Sequence, residues 1–457
     1  MAAIVNGMTI IDPARTDLRD LCGGAVALPG DDGYDAARQA FNLAVDQRPA
    51  AVAFPADAGE VTDIVRHARV AGLRVAAQST GHNAAPLGDL TNTILVKTSS
   101  LGGVEVDPER RIARVGAGVL WEEVVDAAAP HGLIALHGSS PNVGVAGYSL
   151  GGGMGWLARS HGLQANSLTA IELVTADGEL IRTDAQHDPE LFWALRGGGG
   201  NFGVITALEF RLYPLREIYA GFMLWDWSEA ARVLRTFAAW AADAPDHVTT
   251  SLRIMQFPVM DEIPEPLRGR SVVMIDGAVQ GDPAVLEPLR ALAPEIDTFA
   301  MIPAPALVRL HQDPEAPMPY AGDTALVESL PAAAIDALLA VAGPGSGSPL
   351  DLVELRQVGG ALARQVPGSG AVTGVKGQFV LFTCGLALDA EMAALKLGHM
   401  ARVKAALAPY SGDGHYLNFA EEAVDASRSF ATDTWARLVA VKDRVDPDGL
   451  IHANHAI

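Results

Sequence analysis

"ELFWALRGGGGNFGVIT" (Glu190–Thr206) reads as a short helix, a run of four glycines and the start of a strand. Alone, such a run is a flexible turn. Two other segments share its character: "STGHN" (Ser79–Asn83) and "GSSPNVGVAGYSLGGGMGW" (Gly138–Trp156). Three separated glycine-rich sites, at residues 81, 144–155 and 197–203, imply a long ligand lying against backbone where any Cβ would clash. No P-loop with Gly-Lys-Ser/Thr is present, and no Gly-x-Gly-x-x-Gly opens a helix after the first strand, which disfavours a Rossmann dinucleotide site.

The first of these loops holds one residue that does not fit. His82 stands in a small, nearly uncharged segment between Gly81 and Asn83. "AAVAFP" (50–55) reads as a buried strand, 60–71 as a helix stopped by Gly72, and "LRVAA" (73–77) as a second strand. A small-residue loop at the carboxyl end of such a strand suits a phosphate-bearing ligand. A neutral imidazole beside that nest could act as base, ligand or nucleophile.

The totals fit this picture. Of 457 residues, 49% are apolar and 19% charged, enough for a sizeable core and two or three domains. The formal charge of −21, from 33 basic against 54 acidic residues, argues against nucleic acid or an anionic membrane as partner. No apolar run is long enough to span a bilayer, and the opening residues lack the pattern of a signal peptide. Two isolated cysteines, Cys22 and Cys384, exclude a disulfide framework and a Cys-based zinc site, and suggest a reducing, cytoplasmic setting. The oligomeric state stays open.

Further along, 92–97, 103–115 and 168–184 read as strands and hairpins, and 119–131 as a helix closed by Gly132. After about residue 215 the glycines thin out. Strands and helices then alternate twice, with helices expected at 228–242, 284–292, 331 onward and 389–408. This order predicts an antiparallel sheet backed by helices, so the class is α+β. The boundaries read as 1–214 for a cofactor domain, 215–410 for a substrate domain, and 411–457 for a segment that returns to the first.

Two rival motifs require weighing. "GYSLG" (Gly147–Gly151) matches a Gly-x-Ser-x-Gly nucleophile elbow with Ser149 as nucleophile. The residues before it, broken by Pro141 and Gly144, are poor strand material, so a serine hydrolase is a distant alternative. His452 and His455 in "HANH" have no helix to align them and read as a docking tail; no metal site is expected.

Together these residues resemble the flavoprotein oxidases of the vanillyl-alcohol oxidase/PCMH superfamily, berberine-bridge-enzyme-like branch, over nearly the whole chain. "STGHN" is similar to that family's histidine loop, "GSSPNVGVAGYSLGGGMGWLARSHGL" to its second flavin loop, and "HYLNF" with "VDPDGLIHAN" to its C-terminal segment. "ELFWALRGGGGNFGVIT" is the most specific match. The resemblance implies a PCMH-type FAD-binding domain and an oxidase passing hydride from a small organic molecule to FAD and then to oxygen; a dehydrogenase with another acceptor is the alternative. It implies that His82 bonds covalently to the flavin, with Gln78, Ser79, Thr80, Gly81, Asn83 and Leu87 around it. Ser139, Val143, Gly144, Gly147, Tyr148, Gly152 and Gly153 would flank the ring system and phosphates. Asn201, Val204, Asn418 and Asn454 would close over the cofactor.

Several positions depart from the family. Gln78 replaces the usual arginine, and Thr80 the first glycine of a pair. Ser140 stands where many relatives carry a second flavin-bonding cysteine, so a single bond is expected. Phe419 stands where a catalytic tyrosine is frequent. For the substrate-side base, Glu354 on a strand of the substrate domain comes first, with burial expected to raise its pKa toward neutrality. His137 is the runner-up, as an imidazole that titrates in the useful range unaided. Similar His and Glu positions look used in polyketide-tailoring relatives of the enterocin type. Tyr416 is expected beside the flavin. In the family, valine at the position of Val143 goes with oxygen access.

Overall fold

The computed structural model describes residues 17–457 except Gly24 and Glu262, together with the backbone of Ile4–Val5 and Met8–Thr9. The remaining opening residues, read above for a leader, lie outside the described residues. Two large hydrophobic cores organise the chain. One draws on residues 18–212 and also on Val308, Ala371, Leu438, Val441, Leu450 and Ile451; the other draws on residues 223–407.

The first core sits between two sheets. A four-stranded sheet runs in the order Val26–Ala27, Ala51–Ala53, Thr93–Lys97 and Arg74–Gln78, with its last three strands parallel. A five-stranded antiparallel sheet runs Leu180–Asp184, Leu168–Val174, Val204–Arg211, Ile112–Gly116 and Val104–Asp107. The crossover helix Ala58–Ala71 forms where its signals predict. Asp57 accepts hydrogen bonds from the Gly59 and Glu60 amides, Val61, Ile64, Val65 and Ala68 bury one face, and Gly72 ends it at φ +70°. That helix delivers the chain into Arg74–Gln78, and so into the loop of His82.

The chain's last residues return to this unit. Ile451 pairs in parallel with Val75, through Val75 N–H to Leu450 O (2.9 Å) and His452 N–H to Val75 O (2.8 Å). The edge of the four-stranded sheet is thereby covered.

The second core lies under an antiparallel sheet of order Ile296–Asp297, Glu217–Asp226, Ser271–Val279, Val248–Gln256, Leu352–Gln357, Phe379–Leu386, Tyr320–Val327, with Ala300–Pro303 also along Glu217–Asp226. Helices Ala230–Asp243, Ala332–Ala342 and Ala390–Leu407 pack on one face. The two-residue side-chain period then assigns each strand two faces. Leu252, Ile254, Val353, Leu355 and Leu381 enter the core, while Arg253, Met255, Glu354, Arg356, Phe382 and Cys384 face the opposite way. The helix expected at 284–292 does not form as one piece. It is only a 3-10 turn, Pro283–Leu286, followed by one helical turn, Glu287–Arg290. Pro288 lacks the amide that would carry one continuous helix through the segment.

Candidate active site

The uncovered face of the second sheet and the loops of the first unit enclose a cavity of about 880 Å³. Of the residues proposed from sequence for the cofactor, Gln78, Ser79, Thr80, Gly81, His82, Asn83 and Leu87 line it, as do Ser139, Val143, Gly144, Gly147 and Tyr148, and Asn418 with Asn454. Gly152, Gly153, Asn201 and Val204 are not on its wall. Asn201 instead donates to Gly198 O (2.7 Å) and His455 O (2.8 Å), tying the glycine run to the C-terminal tail.

The loops are locked by close backbone approach. Gly81 has φ +83°, and a Cβ there would lie 2.8 Å from Ala40 Cβ; a Cβ on Gly144 would lie 2.4 Å from Ser79 Oγ. The first and second glycine-rich segments therefore seat against each other. His82 is fixed by stacking on Phe41 (centroids 3.8 Å apart, 13° between planes) and by Thr80 Oγ1 at 2.8 Å from Nδ1. Burial pushes its imidazole down to about 4, against a weaker upward pull from a hydrogen bond to Asn142. The ring is neutral at physiological pH, the form in which a nitrogen lone pair is free to react.

Lys97 was missed in the sequence because it lies inside an apolar strand. Its buried ammonium donates to Gln78 Oε1 (2.5 Å) and Gln39 O (2.6 Å), placing a cation behind the position where Gln78 departs from the family's arginine. Burial lowers Lys97 to about 8.

The opposite wall carries a buried ionic cluster. Strand register aligns Arg253, Glu354 and Phe382 in one row. Arg253 Nη2 donates to Asp276 Oδ2 (2.7 Å), which also holds His311 Nδ1 at 2.7 Å. Glu354 Oε1 accepts from Ser251 Oγ (2.7 Å) and Arg356 Nε (2.7 Å) and lies 3.7 Å from His311 Nε2. Asp313, bonded to Ser139 Oγ at 3.0 Å, approaches His311 Nε2 at 3.9 Å. Three cations thus face three anions. His311 and Asp313 lie on a loop after a 3-10 turn, with Gln312 between them in the left-handed region at φ +58°. No period marks them in the sequence. Arg253 and Asp276 lie in strands whose facing the pattern alone did not fix.

The base candidates carry charge states other than those expected. Burial pushes Glu354 up, but Arg356 and His311 outweigh it and hold the carboxyl well below its ordinary value rather than near neutrality. Burial and Arg253 push His311 down, but Asp276, Asp313 and Glu354 outweigh them and raise it to about 9. His137 stands off the cavity wall with Nδ1 2.7 Å from Gly138 O, and burial lowers it to about 4, outside the range expected of it. Tyr416 is also off the wall, packed edge-on to Phe419 at 5.1 Å. Ser149 lies in the helix Val145–Leu150 with 0% exposure and no hydrogen-bond partner for Oγ; it sits on no elbow, which removes the hydrolase alternative.

A further carboxyl lies on the wall two residues after Phe419. Burial raises Glu421 to about 8 against a weak hydrogen bond from Tyr320, whose hydroxyl also lies 3.0 Å from His82 O. No group of three or more potential metal ligands occurs among the described residues. No described helix is long and apolar enough to cross a membrane.

A family profile described as FAD binding domain matches residues 49–184, which include the His82 loop and the second glycine-rich segment. The (R)-6-hydroxynicotine oxidase of Paenarthrobacter nicotinovorans is 38% identical over 234 residues, 50% of this chain and 51% of that protein. The chain spans about half the length of the curated relatives it matches. Whole-chain likeness comes from structure. The 6-hydroxy-D-nicotine oxidase of Arthrobacter nicotinovorans superposes with a TM-score of 0.81 at 26% identity, over 97% of this chain and 99% of that one. The wild-type BBE-like 1 of Physcomitrella patens gives 0.83 at 20% identity over 97% and 99%, a likeness of fold. The cavity fits the implied cofactor. Its volume suits a dinucleotide, its loops approach by backbone, and Asn83 Oδ1 is buried on its wall without a partner. The fold, the glycine-rich cradle and these likenesses agree: residues 49–184 match an FAD binding domain, and the whole chain shares the fold of the 6-hydroxy-D-nicotine oxidase.

Proposed function

We propose that the protein is an FAD-dependent oxidase, with its cofactor joined to the chain through His82 alone and oxygen as its electron acceptor. One observation carries this reading: a neutral, stacked imidazole stands on one wall of the cavity and a polar cluster on the other. Bound FAD supplies hydride acceptance and reaction with oxygen. The chain's residues bind, orient and manage protons. Ser79, Gly81 and Asn83 hold the cofactor by backbone and amide groups, with Lys97 as the cation behind them. Val143 lines the wall and is the residue to which oxygen access is assigned.

On the substrate side, Glu354 is the proposed acceptor of the substrate proton. It is ionised throughout the physiological range, the charge state a base requires. Arg356 and His311 fix its orientation and limit its basicity. The names of the relatives that act on nicotine derivatives support an oxidase of small organic molecules.

The test needs no substrate. Holoenzyme reduced by light and EDTA without oxygen is mixed with aerated buffer. An oxidase reoxidises within seconds and forms one hydrogen peroxide per flavin. Slow reoxidation that a quinone accelerates would replace oxygen with another acceptor.

A further inference from the structure

We infer that the substrate is a largely apolar molecule with a single polar end, and not an oligosaccharide; this rests on the oxidase reading and specifies its substrate class. Met255, Phe257, Met260, Ile263, Met318 and Leu388 give the cavity an apolar lining beside the sheet wall. Met260 and Leu388 are 39% and 64% exposed, so large apolar side chains meet water at the rim. An apolar ligand that covers them removes that surface from water. Pro258, Pro314, Pro317 and Pro319 also line the cavity, and proline has no backbone N–H to offer a ligand.

Arg253, Glu354 and Arg356 on the sheet, with His311 from its loop, form one polar patch, and most of their bonding capacity is used internally. Gln256 and Asp351 also line the wall, but Gln256 donates to Ser348 O (3.0 Å) and Leu350 O (2.8 Å), and Asp351 is paired with Lys396 and accepts from the Leu386 amide (2.7 Å). Arg253 is bound to Asp276 and His311 O, His311 to Asp276, and Glu354 to Ser251 and Arg356. What remains suits one hydroxyl, amine or carbonyl at the reacting end. A sugar carries a hydroxyl on most ring carbons. Each one buried against the apolar part without a partner would weaken binding by roughly tenfold.

Binding to the holoenzyme tests this without turnover. Visible flavin absorbance is followed during anaerobic titration with 2-naphthalenemethanol and with cellobiose. The naphthalene probe should perturb the spectrum saturably, with a Kd at least about tenfold below that of cellobiose. Met260→Asp and Leu388→Asp, both at exposed positions that tolerate charge, should each weaken the naphthalene probe roughly tenfold and leave cellobiose unchanged. Cellobiose binding as tightly as the naphthalene probe, a flat titration with naphthalene, or rim variants that bind it as the parent does would each overturn the inference. The oxidase reading is decided separately, by reoxidation of light-reduced protein that holds no ligand.

Discussion

The two walls of the cavity are built on different principles. The wall of His82 is made of backbone: loops whose side chains are small, whose glycines permit close approach, and whose specificity lies in where N–H groups point. The facing wall is made of side chains: six charged groups on strands and one loop, of which Arg253, Asp276, His311, Glu354 and Arg356 are buried and paired. A backbone wall tolerates change wherever conformation is kept and a Cβ has room, which it does not at Gly81 and Gly144. A wall of paired charges does not, because removing one member strands another away from water.

The largest effect should follow from breaking the charged wall at its most buried point. Asp276 is 0% exposed and holds both Arg253 and His311. Asp276→Ala should cost about 3–5 kcal/mol in denaturant unfolding, with the flavin loops unaltered. A loss below about 1 kcal/mol, the scale of an exposed ion pair, would mean that the pairing is not structural.

Next in size is the chemical step. Glu354→Gln keeps shape and removes the acceptor, so anaerobic flavin reduction should slow by about 10² or more. His137→Ala should leave that rate nearly unchanged, since His137 lies off the wall. The reverse result would pass the assignment to His137.

On the backbone wall, Val143→Leu should slow reoxidation by air and leave reduction intact, if Val143 is the residue that admits oxygen. Equal reoxidation rates would remove the gate.

The smallest effects are in pH dependence. His311 is raised to about 9, so it carries charge below that pH and loses it above. Substrate binding that uses this charge should hold below that pH and fall through about 9, and no limb near neutrality should come from Glu354. Glu421 adds a stability slope of determinate sign. Its folded value of about 8 lies above the ordinary 4.5, so between these the folded state binds the extra proton. Stability should therefore fall as pH rises from 4.5 toward about 8, and Glu421→Gln should flatten that slope. An unchanged slope in the variant would show that another group sets it.

The same contrast explains what the sequence disclosed. Glycine runs and a lone histidine leave a local signature, because backbone approach is set by the residues within each loop. The helix Ala58–Ala71 and the loop it feeds were readable from caps and periodicity. Glu354 was found as a carboxylate on a strand, but its charge state depends on Arg356, two residues away, and on His311, which arrives from a distant loop. Asp276, Arg253 and His311 meet only after strands far apart in sequence are laid in register, so no window of sequence contains the cluster. The helix expected at 284–292 failed for a local reason, Pro288 in its middle.

Whether His82 carries the flavin is decided by mass analysis of the holoenzyme's peptides. After acid precipitation the protein should remain yellow, and digestion should yield a single flavin-bearing peptide that contains His82, absent from His82→Ala. Release of all flavin on precipitation, or flavin found on a peptide of Cys22 or Cys384, would contradict it.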